Sequence, residues 1–189
     1  NMGGMGGVVV NGGGGGGEMP TPVPITPNVV RDIKALPGVE TVVARDNIMG
    51  EAFLESGRLQ AYPYLIGVDA PDLNIMGIEV LTGTTELKRG EIILGGEFVN
   101  TGFMDPKTGP IFDPNTGMPI ASPPDVYGKP IRLVIAKYTS DGLRVTRTVS
   151  PRVVGITLKT GGESDYAVYM NLDEMAGLNQ WLTGRRINR

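Results

Sequence analysis

The sequence predicts an α+β protein, because helical and strand patterns dominate different parts of the chain. A helix followed by a strand is predicted at 26–43, strand ribbons dominate 46–160, and a strand followed by a helix is predicted at 166–182. Apolar residues make up 40% of the 189 positions. That fraction is enough for a buried core in one domain, or in one domain with an added lobe.

The segment 26–43 carries clear start and stop signals for a helix. Thr26 is a good N-cap, and Pro27 suits the first helical position, where a missing N–H costs nothing. Pro37-Gly38 ends the helix, and the alternation in 39–43 predicts a strand. The apolar side chains at helical spacing share one face: Val29, Val30, Ile33 and Leu36.

A glycine-rich segment precedes this helix and includes six consecutive glycines, Gly12–Gly17. The run leads into a proline-spaced segment rather than directly into a helix, so a phosphate-binding loop is not indicated. We predict a short strand at Val8–Val10 followed by a flexible loop. With the helix and the strand at 39–43 it forms a βαβ unit.

The central region favours hairpins. Asn47–Leu54 and Leu59–Val68 flank the turn Ser56-Gly57. An Asp-Gly turn at 141–142 joins two further strands, the second of which is Arg144–Val149. Neither face of that second strand is consistently apolar, so this ribbon is expected to project into solvent.

Two glycines, Gly95-Gly96, follow the compact strand Ile92–Leu94 and precede a short helix. Such a pair exposes N–H groups to an anion or lets two backbones pack closely. No lysine and hydroxyl follow at the spacing of a phosphate loop, so the tight packing turn is the favoured interpretation.

A repeated DPxTG motif begins at Asp105 and at Asp113. In each copy proline fixes the second position, aspartate bonds backbone amides and glycine supplies a positive φ, which is typical of tight turns. The same turns offer oxygen ligands for calcium, with Asp105, Asp113 and Asn115 as candidates. The spacing and the bidentate glutamate of an EF-hand are absent, so a folded-back surface loop is the favoured interpretation.

Composition excludes several classes of function. The 189 residues contain no histidine and no cysteine, which removes Ser-His-Asp and Cys-His catalysis and the usual zinc sites. A net charge of −3, with both signs scattered, argues against a nucleic-acid partner. No apolar run reaches the roughly 18 residues of a membrane span. Glu91 and Glu97 are available as paired carboxylates, but no spacing marks them out, so neither a catalytic residue nor a cofactor is predicted.

Taken in order, the landmarks resemble the extracytoplasmic core domain of MacB-like ABC transporter permeases, a superfamily that includes FtsX and the lipoprotein-releasing permeases. The resemblance extends from about Val8 to Leu182. It lies in the order and spacing of these segments: LPGVETV, YLIGVDAPDL, GEIILGGEFV, GKPIRLVI, RVVGI and YMNLDEM.

The resemblance implies a small split βαβ porter-like lobe with a larger β-rich inserted lobe. Residues 1–45 would form the first porter-like unit with its glycine-rich loop, 46–160 the inserted lobe, and 161–189 the start of a second, truncated unit. In this arrangement the apolar face of the first helix should pack on a small sheet that includes Tyr166–Met170. It also implies a non-catalytic extracytoplasmic domain, anchored by transmembrane helices outside these residues. The implied partners are a cytoplasmic ATPase subunit, reached through those helices, and an adaptor or a substrate such as a peptide, lipoprotein or drug-like molecule.

A second hypothesis stays open from the residues alone. It is a secreted or surface β-rich binding module, calcium-dependent through the paired DPxTG turns. The two hypotheses differ in their expected response to calcium and in the sequence that flanks this chain.

Overall fold

The structure, a computed structural model, describes residues 26–110, 112–117 and 123–184. Four helices lie in these ranges: α1 (Pro27–Lys34), α2 (Ala70–Ile75), α3 (Gly96–Thr101) and α4 (Leu172–Thr183). Ten strands accompany them: β1 (Arg45–Asn47), β2 (Glu51–Ser56), β3 (Leu59–Ala61), β4 (Tyr64–Val68), β5 (Val80–Gly83), β6 (Glu91–Leu94), β7 (Arg132–Tyr138), β8 (Arg144–Val149), β9 (Arg152–Thr157) and β10 (Ala167–Asn171). The predicted α+β class is confirmed.

The strands form two sheets. One is a mixed six-stranded sheet in the order β1-β4-β10-β6-β9-β5, in which β10 is parallel to β4 and β6 is parallel to β9. The other is an antiparallel four-stranded sheet in the order β3-β2-β7-β8. The chain enters the small sheet after β1, leaves it after β3, and visits it again with β7 and β8.

One hydrophobic core joins both sheets. It contains Leu54 and Leu133 from the small sheet, Leu65 and Met170 from the large sheet, and side chains of α3 and α4 such as Leu178. Side chains alternate between the two faces of a strand, so the residues next to Leu65 and Met170 in sequence point to the opposite face of the large sheet. A second core covers that face and includes Ile66, Tyr169 and residues of α2 and the loop after it.

The predicted N-terminal unit is confirmed only in part. Helix α1 begins as expected, since the hydroxyl of Thr26 accepts a hydrogen bond from the N–H of Val29 and proline follows the cap. The strand predicted at 39–43 is wrong, because these residues have no ladder partner and the first strand begins at Arg45. The predicted strand Val8–Val10 lies outside the described residues.

The predicted packing of the apolar face of α1 on the sheet is also wrong. Val29, Ile33 and Leu36 are 40%, 36% and 55% exposed, and neither hydrophobic core includes them. Amphipathic spacing shows which side chains share a helix face, but contact needs a partner surface in the right place. Only Val43, further along the segment, packs partly against the second core.

The hairpin around Ser56-Gly57 is confirmed by the antiparallel pairing of β2 with β3. The predicted strand Leu59–Val68 is divided at Tyr62-Pro63, where the chain passes from the small sheet to the large one. Proline lacks the N–H that a continuing ladder would need at that point.

The second hairpin is confirmed as well. β7 and β8 pair in antiparallel register over six residue pairs, and β8 is the outermost strand of its sheet. Residues Arg144–Thr148 are all exposed, in agreement with a ribbon that projects into solvent.

The sheets do not follow the predicted division at residues 45 and 160. β10, from the segment assigned to a second unit, lies between β4 and β6 from the segment assigned to an inserted lobe. The assignment of 1–45 and 161–189 to porter-like units and of 46–160 to an inserted lobe stays a prediction.

The packing interpretation of Gly95-Gly96 is confirmed. A Cβ atom at Gly95 would lie 2.8 Å from the carbonyl oxygen of Ala167 and closer still to that of Asp165, and one at Gly96 would lie 2.5 Å from the carbonyl oxygen of Thr157. Both N–H groups are occupied, because Gly95 donates to the Ala167 carbonyl and Gly96 to the hydroxyl of Thr157. The pair therefore fixes β6 and α3 against their neighbours and offers no free donors to an anion.

Candidate binding groove

A groove of about 350 Å³ opens on the large sheet, on the face that carries the second core. Its volume is at the lower end of the range for small-ligand sites. Strands β1, β4 and β10 provide the floor, and the turns after α2 and before β10 provide the walls. The lining residues are Arg45, Tyr64, Ile66, Met76, Gly77, Ile78, Thr160, Glu163, Ser164, Ala167 and Tyr169.

Charges of opposite sign come from different elements of this lining. Arg45 lies on the edge strand β1, opposite Val68 of β4. Glu163 begins the 3₁₀ turn that leads into β10. Within the described part of the chain neither residue has an ion-pair partner, and they do not pair with each other. The groove therefore presents one cationic and one anionic group on an apolar base.

Tyr169 forms part of the groove floor and is almost wholly buried. Burial raises the pKa of its phenol to about 12, and the nearby positive charge of Arg45 only partly offsets this effect. The side chain consequently stays neutral over the physiological pH range.

The wall between 160 and 164 is held by Asp165. Its carboxylate accepts hydrogen bonds from the N–H and the hydroxyl of Thr160 and from the N–H of Gly161, at 2.7–3.0 Å. The Thr160 amide is the main reason that the pKa of Asp165 lies below its usual value. A carboxylate that accepts several backbone N–H bonds fixes a loop firmly, so this wall is formed before any ligand arrives.

A second buried polar group fixes the edge of the same sheet. The Oδ1 atom of Asn179 on α4 accepts from the N–H of Met49 at 2.9 Å, and its Nδ2 atom donates to the Asn47 carbonyl and to Asp46. These bonds tie α4 to the segment that connects β1 with β2, and so help to position Arg45.

On the outer face of the small sheet, four charged side chains form two ion pairs. Arg132 on β7 pairs with Glu55 on the adjacent strand β2 at 2.7 Å, and Arg144 on β8 reaches past β7 to pair with Glu51 on β2 at 2.8 Å. Exposed ion pairs of this kind contribute little to stability. Because these four charges already satisfy one another, this face is a weaker candidate for a ligand site than the groove.

Trp181, the single tryptophan, has a packing role. Its ring lies partly buried against the main core, and the ammonium of Lys137 sits 4.4 Å from the ring centroid. The same ammonium donates to the Trp181 carbonyl at 2.6 Å, which joins β7 to the end of α4.

The calcium candidates form the two turns that the sequence predicts. Asp105 accepts from the N–H of Lys107 at 2.9 Å, and Asp113 accepts from the N–H of Asn115 at 2.7 Å. Within the described ranges no group of three or more acidic, cysteine or histidine side chains is placed to hold a metal ion. Calcium binding by Asp105, Asp113 and Asn115 stays a prediction.

The paired carboxylates Glu91 and Glu97 each have a local partner. Glu91 accepts from the N–H of Lys88 at 2.9 Å, and Glu97 pairs with Lys159 at 2.8 Å. Neither residue lines the groove, so the structure gives these carboxylates local structural contacts.

Sequence reasoning missed the groove. Tyr62, Tyr64 and Ile66 recur at every second position, but only Tyr64 and Ile66 line the groove, and the ring of Tyr62 lies 6.2 Å from that of Phe53 between centroids. Arg45 and Glu163 lie 118 positions apart (163 minus 45), and no local pattern connects them. The Thr-Gly-Gly run at 160–162 is a local signal for a loop before β10, but it does not indicate what the loop does.

Among the described residues, no helix is both long and apolar enough to cross a membrane.

Comparison with known proteins finds similar chains among the solved structures. No protein-family profile and no curated protein matches the chain. The chain is similar to a solved structure described as the extracellular domain of the noncanonic ABC-type transporter YknZ from Gram-positive bacteria. The identity is 12% and the TM-score 0.48, over 85% of this chain and 67% of that one.

Proposed function

We propose that the chain is a non-catalytic extracytoplasmic domain of an ABC transporter permease, which carries ATPase-driven motion to a substrate or an adaptor protein. The motif series is the observation that carries this proposal. Five of its six segments coincide with β4–α2, β6–α3, the start of β7, β9 and β10–α4, and the sixth, LPGVETV, lies between α1 and β1. The ordered series thus makes up most of the large sheet and its helices.

Packing gives a physical reason for the residues in those motifs. The glycine of YLIGVDAPDL is Gly67, where a Cβ atom would lie 2.5 Å from the Cβ of Met175 on α4. Gly95 and Gly96 of GEIILGGEFV pack against backbone carbonyls in the same way. In these motifs the glycines lie where secondary-structure elements contact each other. The packing of one fold therefore requires these residues at these positions, which supports a resemblance based on the order and spacing of the motifs.

The shared core favours transmission of motion by the domain as one rigid body. Leu54 and Leu133 of the small sheet pack in the same cluster as Leu65 and Met170 of the large sheet. Closely packed interiors resist internal sliding and pass displacement on. In this proposal the whole domain tilts relative to the membrane while the distance between its sheets stays constant.

The first test of the proposal is the coding sequence that flanks this chain. One transmembrane helix before Asn1 and three after Arg189, beside a gene for an ATPase, would support it. A complete reading frame without membrane helices would refute it.

A second test measures the motion in the full-length permease, reconstituted with its ATPase in nanodiscs. This segment has no cysteine of its own, so Leu143→Cys on the β7–β8 turn and Ile75→Cys on α2 can be labelled selectively within it once any cysteine elsewhere has been replaced. The distance from residue 143 to labelled lipid headgroups should change between the ATP-bound and nucleotide-free states. The distance between residues 143 and 75 serves as the internal control and should stay constant. A headgroup distance that does not respond to nucleotide would contradict the proposed transmission.

A further inference from the structure

We propose that the groove on the large sheet binds the C-terminal end of a short peptide, with the free carboxylate on Arg45 and an apolar last side chain on the groove floor. The geometry of the lining residues carries this inference, and it stands independently of the transporter role. It assigns a ligand class to a surface that the motif series does not explain, since Arg45, Thr160, Glu163 and Ser164 lie outside all of those motifs.

The cationic end of the groove fits a carboxylate. Arg45 has no ion-pair partner among the residues that the structure describes, and a guanidinium binds a carboxylate through two parallel hydrogen bonds. Tyr64 also lines the groove, four positions along β4 from Val68, the residue opposite Arg45. It is 55% exposed, so its hydroxyl is available as a further donor. Tyr169 adds no negative charge, because its phenol remains neutral.

The rest of the lining fits a peptide better than an acyl chain. Ile66, Met76 and Ile78 give an apolar surface for one side chain. Glu163 and Ser164 add oxygen acceptors that match the N–H groups of a peptide backbone. An acyl chain would cover these groups without bonding them, which is costly when they lose contact with water.

Size and rigidity are consistent with this ligand. A volume of about 350 Å³ accommodates about two residues rather than a long segment. Asp165 holds the 160–164 wall through its bonds to Thr160 and Gly161. A wall that is already ordered lowers the entropy cost of binding.

The test titrates the chain with three probes and follows backbone amide shifts by NMR. The probes are acetyl-Ala-Leu with a free carboxylate, the same dipeptide as its C-terminal amide, and octanoate. The free acid is expected to bind with a Kd on the order of 1 mM, as is typical for a ligand of this size, and to shift the amides of Tyr64, Ser164 and Ala167. The amidated probe should bind at least about tenfold more weakly, because it lacks the charge that Arg45 recognises.

Arg45→Gln should reduce binding of the free acid to the level of the amidated probe. Arg147→Gln is the matched control, since Arg147 is an exposed arginine on β8 that lies outside the groove. It should leave the affinity unchanged. Both positions are exposed, and the amide spectrum of each variant reports whether its fold is retained.

Four outcomes would overturn the inference. They are no binding of the free acid at about ten times the expected Kd, equal binding of the acid and the amide, equal effects of the two arginine variants, and octanoate binding as tightly as the dipeptide. The last outcome would assign the groove to acyl carboxylates instead of peptide ends.

Discussion

Replacing Asn179 with alanine is expected to lower the free energy of unfolding by about 3 kcal/mol. The side chain is fully buried, at 0% exposure, and makes three hydrogen bonds, one to an N–H, one to a carbonyl and one to a carboxylate. Each neutral bond contributes about 1 kcal/mol, and the bond to the carboxylate of Asp46 contributes more. The loss also leaves the N–H of Met49 and the carbonyl of Asn47 without this partner.

The assay is urea unfolding at neutral pH, followed by circular dichroism. In thermal unfolding the same loss corresponds to about 6–12 °C in Tm for a chain of this length. Gln180→Ala is the matched control, because the neighbouring side chain on α4 is exposed and its substitution should change stability by less than about 0.5 kcal/mol. If the two variants unfold at the same urea concentration, the proposed tie between α4 and the β1–β2 connection is refuted.

Three further predictions concern packing and pH. Gly95→Ala should destabilise the fold by about 3 kcal/mol, because the new methyl group overlaps backbone carbonyls. Gly177→Ala should instead stabilise it by about 0.5–1 kcal/mol, since this helical position in α4 has no atom within 4 Å of a new Cβ. Thermal unfolding of the two variants checks both signs, and shifts in the same direction would contradict this account. Asp165→Asn should flatten the acid side of the stability curve. The pKa of Asp165 is lowered from 3.8 in the fold, so its stabilising contribution is fully present above that value and is lost as the pH falls through the folded pKa. Urea midpoints measured from pH 7 down to about pH 2 test this prediction, and an unchanged acid slope would refute it.

Local signals predicted the parts of the fold in which neighbouring residues make the decisive contacts. Thr26 caps α1, Ser56-Gly57 turns the β2–β3 hairpin, and the Asp-Gly turn at 141–142 joins β7 to β8. In each case the residues that set the backbone conformation lie within four positions of one another. Their effect on the chain therefore does not depend on the rest of the fold.

Predictions that needed a distant partner were less successful. Residues 39–43 alternate like a strand but have no neighbour to pair with, and Val29, Ile33 and Leu36 form an apolar face with no described surface against it. Pro63 lies between β3 and β4, which belong to different sheets, and a proline within a strand pattern is the local signal for such a break.

The candidate groove likewise depends on contacts between segments that are far apart in sequence. Arg45, Tyr64, Glu163 and Tyr169 come together because β10 inserts between β4 and β6, so that residues far apart in sequence become neighbours. Strand order is a tertiary property, and no periodicity within a strand specifies it.

The sequence by itself determined the α+β class, the two main hairpins and the start of α1, because caps, turns and short-range alternation act through nearby atoms. It also restricted the possible chemistry through its lack of histidine and cysteine. Only the tertiary structure decided that both sheets share one core and that Asn179 ties α4 to the β1–β2 connection. The physical reason is that burial and close packing depend on which distant segments meet, and the energy of those contacts is gained only once the whole chain has folded.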